Sequence, residues 1–269
     1  MKEKEIKLKE KIKENLHKFH KTTSTRFIEL DFLRGLAIIL MIFGHILWDL
    51  NHYKIMPMNN ILYSGLQSFV PPLFFLLVGM CLIISKKKVE AKNMDNENEF
   101  YKHLIIRGLK ILGLGMVITA ISLVVFPGKP VVFGVLHCIG LSVIISAPFL
   151  KYRNYNILFA VSILFGGLIL SQISFENPSI FHLIFGLHPQ NIWSYTVDYF
   201  PLVPWFGIAL TGIVIGDWLY CGEKRMFKIP DLSEYKPAKI FSWAGQHSLS
   251  LYLIHQPLIA GTIILFLRA

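Results

Sequence analysis

The sequence predicts an all-α, polytopic membrane protein of about seven transmembrane helices, and three observations carry that prediction. Apolar residues make up 54% of the 269-residue chain and gather in long blocks rather than short periodic ones. Most blocks reach or approach the ~20 residues that cross a hydrocarbon core as a helix. Basic residues alternate with the blocks: 24 of the 27 Lys and Arg fall in segments, or at helix ends, that an odd-even threading puts on one side. The excess of Lys and Arg on that side assigns it to the cytoplasm, so the N-terminus is expected inside and the C-terminus, after seven crossings, outside. The net charge of +10 is then topological and does not point to nucleic acid.

Residues 1–27, "MKEKEIKLKEKIKENLHKFHKTTSTRF", form a basic cytoplasmic N-terminal segment without the apolar stretch of a cleavable signal. Leu8, Ile12, Leu16 and Phe19 recur at helical spacing among lysines, which suits an amphipathic helix on an anionic leaflet or a plain basic tail. Residues 28–269 are expected to be a single membrane domain. Its spans fall near 28–50, 61–85, 103–126, 131–150, 155–172, 199–220 and 240–267. Between the second and third, 86–102 is a charged connection. Residues 173–198, free of Lys and Arg but carrying two His, two Pro and Trp193, form either an extracytoplasmic cap or re-entrant turn over a cavity, or an ordinary loop with an interfacial aromatic. Pro257 is expected to bend the last helix.

The first span carries charge where hydrocarbon disfavours it. "DFLRGLAIILMIFGHILWDLNH" contains Asp31, Arg34, His45, Asp49 and His52. Arg34 and His45 are eleven residues apart, three turns plus ~20°, so they lie on one stripe ~16 Å apart along the axis. Asp31 lies a turn from Arg34, and Asp49 a turn from both His45 and His52. A neutral imidazole with a carboxylate beside it permits general-base chemistry, and an arginine suits a phosphate. The bland alternative is an interfacial ion pair at Asp31 and Arg34 and a solvated pair at Asp49 and His52.

Polar residues in other spans suggest a lined cavity: His137 in "FGVLHCIGL", and Gln246, His247, Ser248, His255 and Gln256 in "WAGQHSLSLYLIHQPLI". Ser248, Tyr252 and His255 share a face, although any one histidine could be a satisfied core residue. No HExxH occurs, and Cys81, Cys138 and Cys221 lack CxxC spacing, so no metal site or disulfide framework is expected.

The stretches "RFIELDFLRGLAIILMIFGHILWDL", "FGVLHCIGLS", "PLVPWFGIALTGIVIG" and "GQHSLSLYLIHQPL" together resemble the prokaryotic branch of the heparan-alpha-glucosaminide N-acetyltransferase family, and the Arg34 and His45 spacing is similar to the signature of the wider transmembrane acyltransferase superfamily. The resemblance implies transfer of an acetyl group from cytoplasmic acetyl-CoA, used as co-substrate, to an extracytoplasmic amino sugar or other glycan. It implies Arg34 at the CoA end, where the basic edge adds Arg107 and Lys110, and His45 or His52 as the base; from the spacing and the lined cavity, Asp49 joins the chemistry, Gln246 and His247 the CoA end, and His137 and His255 the acceptor side. Animal members carry their catalytic histidine beyond the first helix, nearer His52, so that role is shared between His45 and His52. The expected setting is the cell membrane, with the lipid bilayer as partner and a homo-oligomer compatible with the sequence. A transporter with a proton- or solute-guiding stripe, and a catalytically silent scaffold, are the competing readings.

Overall fold

A computed structural model describes residues 26–57, 59–91, 97–221, 224–230 and 235–268. Nearly all of the basic N-terminal segment therefore lies outside the described residues. Among the described residues the architecture is all-helical, with six helices long and apolar enough to cross a membrane and one shorter. In chain order they are α1 (Ile28–His52), α2 (Asn60–Ala91), α3 (Glu97–Val125), α4 (Val135–Phe149) and α5 (Asn156–Leu170), then the short α6 (Ile180–Phe185) and α7 (Leu202–Leu219). A two-residue hairpin, β1 (Tyr220–Cys221) with β2 (Lys224–Arg225), precedes α8 (Lys236–Gln246) and α9 (Ser248–Arg268).

Two features of the helix boundaries differ from the sequence expectation. The connection expected at 86–102 is mostly helix, because α2 runs on to Ala91 and α3 begins at Glu97. Lys86 is held by the Leu150 carbonyl at 3.1 Å and Lys87 by Asp217 at 2.7 Å, so charged residues are kept in the last turns of α2. The last span is two helices, broken at His247, while α9 continues through Pro257. A third difference concerns the span expected at 131–150, which enters as extended chain before α4 starts at Val135.

That extended entry leaves backbone groups without helical partners, and side chains satisfy them. Val131 N–H donates to Ser122 Oγ at 2.8 Å, Gly134 N–H to His137 Nδ1 at 3.2 Å and Val135 N–H to Asp198 Oδ2 at 3.2 Å. The Phe133 carbonyl accepts from Phe200 N–H at 2.8 Å. Irregular backbone at this depth is tolerated only with such partners.

α2 packs along α7, and α7 also holds α4 and α5, while α1 lies against α8, α2 and α9. Glycines set two of these crossings. A Cβ on Gly79 would overlap the Ala209 carbonyl and one on Gly212 the Leu76 carbonyl, so α2 and α7 meet backbone to backbone. Gly35 and Gly245 do the same for α1 and α8, against the carbonyls of Phe241 and Asp31. Small residues at such crossings replace the hydrophobic drive that lipid does not supply. Phe75, Leu77, Ile83, Leu210 and Ile213 are fully buried between α2 and α7, whereas α3, α5 and α9 expose Val124, Leu158, Leu265 and other large apolar side chains, as lipid-facing helices do.

At the basic end the hairpin is tied down by a charge cluster. The Glu29 carboxylate accepts Arg225 Nε at 2.7 Å, Arg225 Nη2 at 2.8 Å and Tyr220 Oη at 3.1 Å. The segment between α5 and α7 (the cap segment) lies at the opposite end and contains α6, with isolated bridges from Ser174 to His188 and from Phe133 to Tyr199. Its Trp193 side chain is exposed.

Candidate active site

α1 carries both ends of the site on one rigid element. Near its start, Asp31 is buried and forms an ion pair with Arg34 Nη2. Its other oxygen accepts Gln246 Nε2 of α8 at 3.3 Å, a bond allowed by the glycine crossing that brings the two helices together. The Arg34 side chain is 31% exposed, yet its Nε is buried and has no hydrogen-bond partner among the described residues. A buried guanidinium N–H left open is costly unless something else accepts from it.

Arg34, Arg107 of α3 and Lys88 of α2 all lie within electrostatic reach of Cys81 on α2. Three cationic side chains from three helices therefore face one region at the basic end. Arg107 and Lys110 are exposed on α3. Beside this region a depression of ≈ 340 Å³ is lined by Arg26, Asp31, Lys239, Trp243 and Gln246 among others. His247 is exposed at the α8–α9 break, where its ring packs on Trp243 with centroids 4.7 Å apart and its Nδ1 contacts the Trp243 carbonyl.

Three turns along α1, His45 faces α9. Its ring and that of His255 have centroids 4.8 Å apart, tilted by 54°. Asp49, 2% exposed, takes two bonds from Gln256 Nε2 at 3.0 and 3.1 Å, so its carboxylate engages α9 rather than the His45 ring. His52 is exposed at the end of α1, stacked on Trp48 with centroids 4.9 Å apart, and remains within electrostatic reach of Asp49. The two α1 histidines thus occupy different surroundings. His45 lies inside against a second imidazole, and His52 lies outside on an indole.

His137 is buried with both ring nitrogens engaged. Nδ1 accepts from Gly134 N–H, and Nε2 lies 3.4 Å from Thr119 Oγ1, whose own proton goes to the Val131 carbonyl at 2.7 Å. The ring therefore holds the extended entry to α4 and leaves no nitrogen for a ligand.

The structure adds Asp198, which sequence reasoning passed over inside the 173–198 segment. Its carboxylate sits at the N-terminus of α4, in space that a Cβ on Gly134 would fill, and lies within electrostatic reach of Tyr63 on α2 and Tyr252 on α9. Burial pushes its pKa up to about 6, opposed by the hydrogen bond from Val135. The only sequence signal was an acidic residue at the last position before an apolar block. Nearby, a depression of ≈ 490 Å³ in the cap is lined by Glu176, Asn177, Ser179 and Tyr195 among others, without a Lys or Arg.

A membrane-embedded helical bundle with cations at one end of a helix and imidazoles at the other defines a multi-pass integral membrane protein with a polar interior stripe. The model of the family described as heparan-alpha-glucosaminide N-acetyltransferase, catalytic, matches residues 26–257. The chain belongs to that family, whose members are membrane acetyltransferases using acetyl-CoA. No curated protein and no solved structure matches it.

Proposed function

We propose that this protein transfers an acetyl group from cytoplasmic acetyl-CoA to an amino sugar or other glycan on the outer side of the cell membrane. The observation that carries the reading is the stripe of α1, with Arg34 and its open Nε at the basic end and His45 against His255 three turns on. A CoA phosphate meets the need of the Arg34 guanidinium, which pairs with phosphate oxygens through two N–H groups. Arg107 and the Gln246 side chain of the neighbouring depression complete that end.

The thioester reaches along α1 toward the imidazoles, where the acceptor amine or hydroxyl enters from the capped end. A histidine there accepts the proton that the nucleophile loses on attack. His45 is the α1 histidine inside the bundle and His52 the one at its mouth, with Asp49 between them. Asp198 and the uncharged or acidic lining of the cap suit an acceptor that is polar or carries an amine.

The test is acetyl-CoA binding and turnover by the purified full chain in nanodiscs, comparing wild type with Arg34→Ala, His45→Ala and His52→Ala. Weaker binding in the arginine variant and lost turnover in one histidine variant is the expected result. Solute flux into vesicles without consumption of acetyl-CoA would replace the transferase reading with a transporter.

A further inference from the structure

His255 is placed unlike the other buried histidine. It lies in the middle of α9, 7% exposed, and its Nδ1 stands 2.6 Å from the Tyr252 carbonyl. A carbonyl oxygen only accepts, so Nδ1 is the donor and carries the ring proton. In the neutral imidazole Nε2 is then a bare lone pair. That atom is buried and has no hydrogen-bond partner among the described residues. His137 shows the contrast, since both of its nitrogens are used within the fold.

We propose that His255 is a catalytic residue: its Nε2 is the base that takes the proton from the acceptor, with His45 beside it orienting the acceptor. This rests on the acetyltransferase reading above and assigns within it a group that the α1 stripe alone does not contain. The acceptor nitrogen or oxygen attacks the thioester carbonyl carbon, forming the C–N or C–O bond. The C–S pair leaves with the CoA sulfur as thiolate, and the acceptor proton moves to His255 Nε2. The imidazolium returns that proton to the departing thiolate or to water, so the ring ends the cycle neutral. The Nδ1–H bond to Tyr252 persists throughout and stabilises the imidazolium, the part a carboxylate plays beside a base histidine. Asp49 does not take that part: His255 Nδ1 is bonded to the Tyr252 carbonyl, and the Asp49 oxygens accept from Gln256 Nε2.

The geometry separates the two nitrogens experimentally. His255→Asn keeps a side-chain N–H able to reach the Tyr252 carbonyl but has no atom at Nε2, so the hydrogen bond survives and the base does not. With the full chain in nanodiscs, acetyl-CoA as donor and glucosamine as acceptor, His255→Asn is expected to bind acetyl-CoA as wild type does and to lose at least ~100-fold in kcat for CoA release. In His255→Gly, added imidazole is expected to restore part of the rate. Turnover within threefold of wild type in His255→Asn would overturn the assignment while leaving the transferase reading standing. No CoA release by wild type, to glucosamine or to water, would overturn both. Should the variants not fold, ¹⁵N spectra of wild-type protein decide: an Nδ1–H tautomer at His255 is expected, and an Nε2–H tautomer overturns the proposal.

Discussion

Arg34 has one buried N–H, Nε, without a hydrogen-bond partner among the described residues, and its Nη2 is already committed to Asp31. Truncation to alanine removes a charge-assisted contact of ~1.5–3 kcal/mol, so acetyl-CoA binding in Arg34→Ala is expected to weaken by roughly 10- to 150-fold, read by calorimetry. Arg34→Lys restores the charge but not the fork, and is expected to recover only a fraction of that affinity. Asp198 gives a different kind of test. Its native carboxyl binds a proton more tightly than in the unfolded chain, since about 6 lies above the ordinary value of 3.8. Its charge therefore opposes folding at neutral pH, and stability rises as pH falls through about 6 toward 4. Asp198→Asn is expected to flatten that part of the pH profile and to gain on the order of 1 kcal/mol at pH 7, followed by thermal unfolding in detergent. Arg34 and His45 were legible in the sequence because helical periodicity alone puts them on one stripe. The contact of His45 with His255 was not, because it depends on how two helices more than 200 positions apart pack.

The glycine crossing of α1 and α8 positions the basic end of the site. Gly35→Leu places branched carbon where the Phe241 carbonyl stands, and the helices must separate. A loss of at least about 3 kcal/mol in stability is expected, together with weaker acetyl-CoA binding, because Gln246 moves off Asp31. Gly65, with open space around it, is the control: Gly65→Ala is expected to leave both unchanged. The apolar blocks announced these helices by length and hydropathy, and the long-range pairing of Gly35 with Gly245 gave no local signal. The same holds for the extended entry at 131–134. Its apolar run reads as helix, and only the tertiary placement of Ser122, His137 and Asp198 supplies the hydrogen bonds that let it stay extended. The last span is interrupted at His247, ten positions before Pro257, the residue at which the sequence suggests a bend.

For the whole molecule, the separation of Lys and Arg from the capped end makes orientation testable with the native cysteines. Cys221 is exposed on the hairpin at the basic end, Cys138 is buried and Cys81 is partly buried. A membrane-impermeant maleimide is expected to label Cys221 in inverted vesicles and not in intact cells; labelling from outside would reverse the topology. Membrane class and helix number were readable from the sequence because the bilayer imposes length and charge rules on every span. Interior polar geometry was only half readable, since those rules say where a charge is expensive and not what it touches. The stripe on α1 also makes the molecule a caliper. A helix advances by a fixed ~1.5 Å per residue, so the gap of ~16 Å between Arg34 and His45 does not adjust to its ligand. A donor must grip one jaw and present its carbonyl at the other. An acetyl thioester on a truncated arm, equally reactive in solution, is therefore expected to turn over poorly because it is too short to span the jaws.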